Sequence, residues 1–426
     1  MFKKITAPSI VLFSVIPLRF LIEWTPMLGI PYLSTICVFV EYVAILKCIL
    51  VISSIPGAMH FNRVTKLTIA VFILYSMYLI YDIVISPQIP RKYMVHTPET
   101  NLSLFQSIVS FCVLFFIVNL FTIKVNYTRW AKVSCLFLTV MLIIYILKVD
   151  ISYYALNYVL DPVTHESVYS LSDMGMFDSL RLGWFCGIAY VCNLFLKNKW
   201  SDRPIVCNVL FWGISVLTIS ICISTIQRGP IIFIISTTLF YYFAKGYISH
   251  RYLGWIAFFC ILLMIFSDSI LDFFYNISPE LMSRFGDIAE GGSGRYGSED
   301  SAYALAFKEF LMSPIWGHYF RYSTVQGYFY GHYPHNIFLE SLMTMGILGS
   351  VPFFYVLYRC VKNTYYAIKD DAPVAVIGLI FIYIFSTLVT STTMVLLGNF
   401  WIPLVIISTY VPNKINHETF NNSTNL

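Results

Sequence analysis

Two arginines and a histidine are the residues of this chain best suited to chemistry on a phosphorylated substrate. Arg228 lies in a short Gln-Arg-Gly-Pro turn, Arg295 follows a glycine-rich run at 291–294, and His335 directly precedes an apolar segment. A guanidinium group binds phosphate oxygens at two points and stays charged at any relevant pH. A histidine at a water–lipid boundary titrates near neutral pH and can accept a proton from a hydroxyl. These residue types predict a phosphate-binding site with a general base.

Further polar residues of the same loops extend this candidate site. Each also has a simpler interpretation, because an interfacial arginine can snorkel, a histidine or asparagine can cap a helix, and aromatic residues can form an interfacial belt. The glycine-rich run could offer backbone amides to an anion, but its spacing matches no nucleotide-binding motif. The candidate substrate-binding residues are Arg181, Arg284, Arg321, Asn336, Tyr296 and His332.

Composition indicates the class of protein that positions these residues. The 426 residues are 58% hydrophobic, 18% aromatic and only 12% charged, and mean hydropathy is +0.73. A soluble domain is typically about 25% charged, so the composition predicts an all-α polytopic membrane protein, with residues 1–426 as one integral membrane domain. The formal charge of +5 lies in short loops between apolar segments, which argues against nucleic acid as a partner.

Apolar runs predict about twelve transmembrane helices. The first two are interrupted by charged residues, and the first serves as its own insertion signal because no cleavage site follows it. The predicted spans are 6–26, 32–54, 65–86, 102–122, 133–149, 182–197, 205–226, 230–245, 252–270, 336–358, 373–391 and 394–411.

The distribution of lysine and arginine predicts the orientation. With a cytoplasmic N-terminus, 16 of the 27 basic residues lie in inner segments and nine in outer segments. Short cytoplasmic loops carry the excess of Lys and Arg in membrane proteins, so both termini are predicted to be cytoplasmic. Two long loops, about 150–181 and 268–335, then face outward with the candidate site residues.

Local patterns predict the elements around these loops. Ser298-Glu299-Asp300 suits a helix N-terminus, and the apolar positions from Tyr303 to Leu311 share one face of a helix lying at the membrane surface. Ser313-Pro314 ends that helix. In the turn at 227–230, Pro230 suits the first turn of the next helix and Gly229 provides free backbone angles.

The ten cysteines all lie in or at the ends of apolar runs. No CxxC pair or Cys/His cluster is present, so the sequence indicates neither a disulfide framework nor a zinc site. No metal ligand set and no cofactor are predicted.

A combination of motifs resembles a known family. Arg228-Gly229 at a span end, Gly294-Arg295 in a long outward loop, and Pro334-His335-Asn336 leading through Glu340 into Gly346-Ile-Leu-Gly349 are similar to the O-antigen polymerase and O-antigen ligase superfamily. The resemblance covers the sixth to the tenth predicted spans and the rest only by topology.

The resemblance implies a GT-C-like fold, with a long periplasmic loop carrying short amphipathic helices, in the bacterial cytoplasmic (inner) membrane. It implies a metal-independent, inverting glycosyltransferase of lipopolysaccharide biosynthesis whose donor is a glycan on undecaprenyl pyrophosphate. Arg228, Arg295 and His335 match the family's key residues, so they are the expected catalytic residues of an active site that faces the periplasm. Membrane lipid and a chain-length regulator protein are candidate partners.

Three functions remain open at this point. A polymerase, the favoured hypothesis, transfers the glycan to a sugar hydroxyl of another lipid-linked repeat unit, whereas a ligase transfers it to the lipid A–core. The aromatic, weakly charged outer loops favour sugar over a heavily phosphorylated acceptor. A polytopic transporter or flippase is the third hypothesis, and the concentration of charge at the outer face rather than the membrane midplane argues against it.

Overall fold

The computed structural model is all-helical over the residues that it describes, with no strand among them. Those residues are 7–18, 33–53, 61–80, 125–148, 179–224, 228–248, 302–317, 334, 336–390 and 398–412. The helices are α1 (Ala7–Val15), α2 (Leu33–Ser53), α3 (Arg63–Ile80), α4 (Tyr127–Lys148), α5 (Ser179–Phe195), α6 (Pro204–Ser224), α7 (Arg228–Ala244), α8 (Ala302–Met312), α9 (Ile337–Lys369), α10 (Ala375–Thr390) and α11 (Gly398–Ser408).

Three of these helices are long and apolar enough to cross a membrane, at Tyr127–Ile144, Pro204–Cys222 and Ile337–Lys369. Shorter apolar helices at Leu182–Phe195, Gly229–Ala244 and Ala375–Val389 accompany them. The predicted helical membrane character is confirmed to this extent. The number of twelve spans stays a prediction, because the predicted spans 102–122 and 252–270 lie outside the described residues, as do 150–178 and most of 268–335.

Helix α10 lies at the centre of the described bundle and packs against α5, α7, α9 and α11. Its residues from Ala375 to Ile384 are buried almost without exception. The neighbouring core is aromatic: Phe353 of α9 and Phe381 of α10 both contact Phe400 of α11, with ring centroids 6.4 and 6.1 Å apart. These rings fix α9, α10 and α11 as one packed unit.

Basic helix ends meet at one face of the bundle, which we call the basic end and define by Lys132, Lys199, Lys245 and Asp371. The Asp371 carboxylate lies 3.2 Å from Lys199 Nζ and 2.8 Å from Lys245 Nζ, and Lys132 Nζ donates to the carbonyl of Trp200 at 3.0 Å. These contacts join the start of α4, the ends of α5 and α7, and the α9–α10 turn. The sequence predicts all of these segments to be cytoplasmic, so the structure brings the predicted inner loops to a common face.

The end of α9 shows why Asp371 occupies the centre of that network. Asp371 has φ 52°, its N–H donates to Ile368 O at 3.2 Å, and Ala372 N–H donates to Ala367 O at 2.9 Å. This pair of bonds is a Schellman cap, in which glycine is the usual left-handed residue. Aspartate tolerates this backbone region better than most residues, and here its carboxylate also binds both lysines.

Helix α9 differs from its predicted span in two ways. It continues to Lys369 rather than ending near 358, because Cys360, Asn363 and Ala367 keep a buried face beyond Arg359. It is also broken at Gly346, which has φ 58° and ψ −167°. The hydropathy pattern shows neither feature, since charged residues at 359–369 mimic a loop and a single glycine is compatible with a straight helix.

The turn before α7 differs in detail from the prediction. Helix α7 begins at Arg228, so Pro230 does lie in its first turn as expected. Gly229 is not among the described glycines with positive φ. The predicted role of Gly229 in the turn was therefore wrong, because the residue belongs to the helix.

Candidate functional site

The beginnings of α5, α7 and α9 lie at one end of the bundle, opposite the basic end. Over residues 383–386, α10 contacts all three helices. Tyr383 Oη lies 3.4 Å from Gly183 O of α5, Ser386 Oγ lies 3.4 Å from Ser236 Oγ of α7, and the rings of Phe385 and Phe338 of α9 are 6.1 Å apart. We call this the arginine end, because α5 and α7 begin there with Arg181 and Arg228.

The backbone fixes how close these helix starts are along the bundle axis. Arg181 precedes Gly183 by two residues, Asn336 precedes Phe338 by two, and Arg228 precedes Ser236 by eight. At 1.5 Å per helical residue, all three positions lie within about 12 Å of the level of the α10 contacts. The side chains of Arg181 and Arg228 are outside the described set.

Arginines in the first turns of α5 and α7 are electrostatically unfavourable by themselves. The N-terminus of a helix carries a partial positive charge of about half a unit, so a cation there opposes the dipole, whereas an anion is stabilised. Two such helix starts lie at this end, each with its own arginine in the first turn, and a helix N-terminus stabilises a nearby anion.

Asn336 caps α9 with its side-chain oxygen. Asn336 Oδ1 accepts the N–H groups of Phe338 at 3.0 Å and Leu339 at 3.1 Å, and its backbone at φ −148° and ψ 113° is extended. This geometry satisfies two of the orphan donors of the helix. The oxygen is thereby occupied, so any contact of Asn336 with a substrate would use its Nδ2 group.

The predicted surface helix is present as α8, which packs along α9. One side of α8 is covered, since Ala306 and Glu309 are buried. Phe307 and Leu311 are exposed, at 51% and 58% of their surface. The helix itself and its two exposed apolar residues agree with the sequence pattern, and its position at a membrane surface stays a prediction.

A short turn after α8 fills the break in α9. Pro314 O accepts the N–H of Ile347 at 2.8 Å and Ile315 O accepts that of Leu348 at 3.3 Å. These N–H groups lack intrahelical partners because Gly346 interrupts the helix. The turn 313–317 therefore supplies the carbonyl acceptors that the helix does not provide at its break.

Two buried carboxylates, on α8 and α9, were not among the candidate site residues, although Glu340 belongs to the family-like motif. Glu340, in the first turn of α9, is fully buried, and Glu309 is 5% exposed. Each has an interaction partner, as buried acids require. The signal for Glu340 was available, since an acid one turn into an apolar segment is rare in membrane helices.

The other predicted site residues lie outside the described part of the chain. They are Arg295, His335, Arg284, Arg321, Tyr296 and His332. The structure brings together the helix starts that contain Arg181, Arg228 and Asn336, and the assembly of these with the remaining residues stays a prediction. The side chains of seven of the ten cysteines are described, and each of these is a buried free thiol.

No family model matches the chain, and no curated protein matches it at a significant level.

Proposed function

We propose that this protein is an O-antigen polymerase, a glycosyltransferase that extends a glycan carried on undecaprenyl pyrophosphate. The observation that carries the proposal is the convergence of the starts of α5, α7 and α9 at the arginine end, away from the basic end. Arg181 and Arg228 stand in the first turns of two of these helices. A pyrophosphate would neutralise both the guanidinium charges and the helix dipoles.

The proposed reaction is a direct displacement. The acceptor hydroxyl oxygen attacks the anomeric carbon of the donor sugar, and the bond from that carbon to the pyrophosphate oxygen breaks. The electron pair leaves with the lipid pyrophosphate, the hydroxyl proton passes to His335, and the anomeric configuration inverts. Arg228 and Arg295 stabilise the charge that grows on the leaving pyrophosphate.

Electrostatic stabilisation of the leaving group is the larger contribution to the rate. General-base help contributes about 10²–10⁴-fold, while preorganised charges aimed at the developing anion are usually the largest single effect. Arg228→Ala and Arg295→Ala should therefore reduce the rate at least as much as His335→Ala does.

The decisive experiment is elongation by the purified protein in detergent. It would be given a synthetic undecaprenyl-pyrophosphate-linked repeat unit with EDTA and without ATP or an ion gradient. A ladder of longer glycans is the expected product. Arg203→Ala is the matched control, because Arg203 is an exposed arginine at the start of α6, near the basic end.

Other outcomes identify the alternatives. Transfer only when lipid A–core is added would indicate a ligase, and deletion of the gene would then leave bare core rather than core with one repeat unit. No transfer to either acceptor would contradict a transferase. Full elongation by a normally expressed Arg295→Ala variant would contradict the residue assignment.

A further inference from the structure

Two glycines form the contact between the turn 313–317 and the break in α9. We call this contact the glycine junction. It comprises Gly317, Gly346 and the hydrogen bonds from Ile347 N–H to Pro314 O and from Leu348 N–H to Ile315 O. Gly317 has φ 76° and Gly346 has φ 58°. The ψ of −167° at Gly346 places it in a backbone region that is essentially restricted to glycine. Neither position accepts a side chain without strain.

The two glycines also leave no space for a side chain. A Cβ on Gly317 would overlap Thr344 O, and a Cβ on Gly346 would overlap Ile315 O. Each added atom would lie 2.7 Å from the other glycine's amide nitrogen. Real Cβ atoms do not approach so closely, so backbone against backbone is the only packing that this junction allows.

The hydrogen bonds fix the orientation of the turn 313–317 relative to α9. Ile347 and Leu348 donate into the carbonyls of Pro314 and Ile315, so the turn continues the second part of α9 as a preceding helical turn would. Gly317 N–H in turn donates to Ser313 O at 2.8 Å, which closes the turn on itself. Helix α8 is therefore held in both position and rotation relative to α9.

We infer that the glycine junction is a positioning element of the transferase, an inference that rests on the proposed function. Residues 295 and 335 precede the starts of α8 and α9 by seven and two residues. By locking α8 to the broken α9, the junction fixes the separation of the two points at which the segments with Arg295 and His335 join the bundle. The junction touches no substrate and acts only through this separation.

The junction also explains why α9 is broken about nine residues from its start. A continuous helix would satisfy the N–H groups of Ile347 and Leu348 internally and leave the turn 313–317 without an anchor. The break leaves these two N–H groups free to bind the turn that follows α8.

The test uses full-length protein with the elongation assay and a distance measurement. Gly346→Ala is expected to lower kcat at least tenfold with KM for the lipid-linked donor within threefold of wild type. Ile347→Pro is the milder variant, because proline is tolerated at a helix start and removes the N–H that binds Pro314 O, while the lost isoleucine side chain is 47% exposed. It should lower kcat about fivefold, the effect of one lost hydrogen bond.

Two controls separate positioning from general damage. Thr344→Val alters a side chain at the junction whose buried hydroxyl has no hydrogen-bond partner among the described residues. Gly213→Ala adds a methyl group where no described atom lies within 4 Å. Both variants are expected to behave as wild type. If Gly346→Ala fails to fold, Ile347→Pro carries the test.

The distance measurement does not depend on activity. Spin labels at Phe307→Cys on α8 and Tyr358→Cys on α9 occupy exposed positions, and unsubstituted protein gives the background labelling. We expect one narrow distance distribution in the parent and a broadened one with Gly346→Ala or Ile347→Pro. An unchanged distribution would overturn the inference, and so would a broadened distribution with wild-type kcat. Wild-type protein without elongation activity would overturn the proposed function, and the inference with it.

Discussion

Gly317 and Gly346 pack backbone against backbone, and a side chain on either glycine would overlap the carbonyl group two residues before the other, that of Thr344 or Ile315. A Cβ on either residue would lie 2.7 Å from the amide nitrogen of its partner. Glycine is therefore required at both positions, 29 residues apart in the chain, for the two backbone segments to come this close. Gly349, three residues further on, has a different role, since its Cβ would lie 3.2 Å from Leu74 Cδ2 of α3 and its absence permits close packing of two helices.

The cap of α9 predicts that two substitutions at Asn336 affect different properties, one the stability and the other the activity. Asn336→Ala removes the acceptor of two N–H groups and should destabilise the protein by about 1 kcal/mol. Asn336→Asp keeps the acceptor and should preserve the melting temperature in detergent. It also replaces a donor with a negative charge beside the proposed pyrophosphate site, so we expect it to lower elongation by tenfold or more. Equal activity of Asn336→Asp and wild type would remove Asn336 from the substrate-binding residues.

The close approach of α5 and α10 depends on Gly187. A methyl group there would overlap the ring of Tyr383, which is fully buried. Gly187→Ala should cost about 1–3 kcal/mol through overpacking, measured as a lower melting temperature of the purified protein. Gly213→Ala, which meets no described atom within 4 Å, should not lower it.

A double variant tests the cause of that destabilisation. Tyr383→Leu removes the ring, so Gly187→Ala should cost much less in that background than in wild type. Additive costs of the two substitutions would show that the methyl group and the ring do not compete for the same space.

Asn193 holds the end of α5 against α6. Its Nδ2 group donates to Phe211 O at 2.8 Å and Ser215 Oγ at 3.0 Å, and its Oδ1 accepts Trp200 Nε1 at 2.9 Å. Asn193→Ala leaves the buried indole N–H unpaired, which costs about 1–3 kcal/mol, so the melting temperature should fall. Asn198→Ala changes an exposed asparagine five residues away and should be neutral. The effect of Asn193→Ala should shrink in a Trp200→Phe background, which lacks the indole donor.

The ion pairs of Asp371 predict a pH-dependent stability. Partial burial alone would raise the pKa of Asp371, but the hydrogen bonds and charges of Lys245 and Lys199 outweigh it and hold the pKa below its ordinary value. A lowered pKa in the folded state means that the carboxylate stabilises the fold above its unfolded pKa of about 3.9. That contribution disappears as the pH falls through the folded pKa.

Wild type and Asp371→Asn should therefore differ at pH 7, and the difference should begin to shrink below about pH 4 and vanish below the folded pKa. The expected difference is small, about 0.5 kcal/mol, because the carboxylate is largely exposed. Melting temperatures in detergent at pH 7 and at pH 3 provide the measurement. Asp202→Asn is the control, since Asp202 is exposed and makes no ion pair with any described residue. A difference for Asp371→Asn that persists unchanged at pH 3 would exclude the carboxylate charge as its cause.

Much of the fold follows from the sequence because its determinants are local. The apolar runs predicted most ends of α2, α4 and α6 to within a few residues. The lysine positions predicted that the loops of the basic end lie on the same side of the membrane. Errors occurred where local and tertiary effects compete. Charged residues at 359–369 indicated a loop, yet α9 continues through them because their neighbours Cys360 and Ala367 face the core.

The candidate site likewise has features determined by short segments and features determined by tertiary contacts. Sequence alone determined the residue types and the predicted membrane side, because hydropathy and the placement of arginine, lysine and histidine are properties of short segments. Only the tertiary structure decided that the outer ends of α5, α7 and α9 meet around α10, since this depends on contacts of residues 383–386 with three separate helices. It also decided that Gly346 breaks α9. A glycine permits a straight helix, a close contact or a break, and the carbonyls of Pro314 and Ile315, about thirty residues away, stabilise the break.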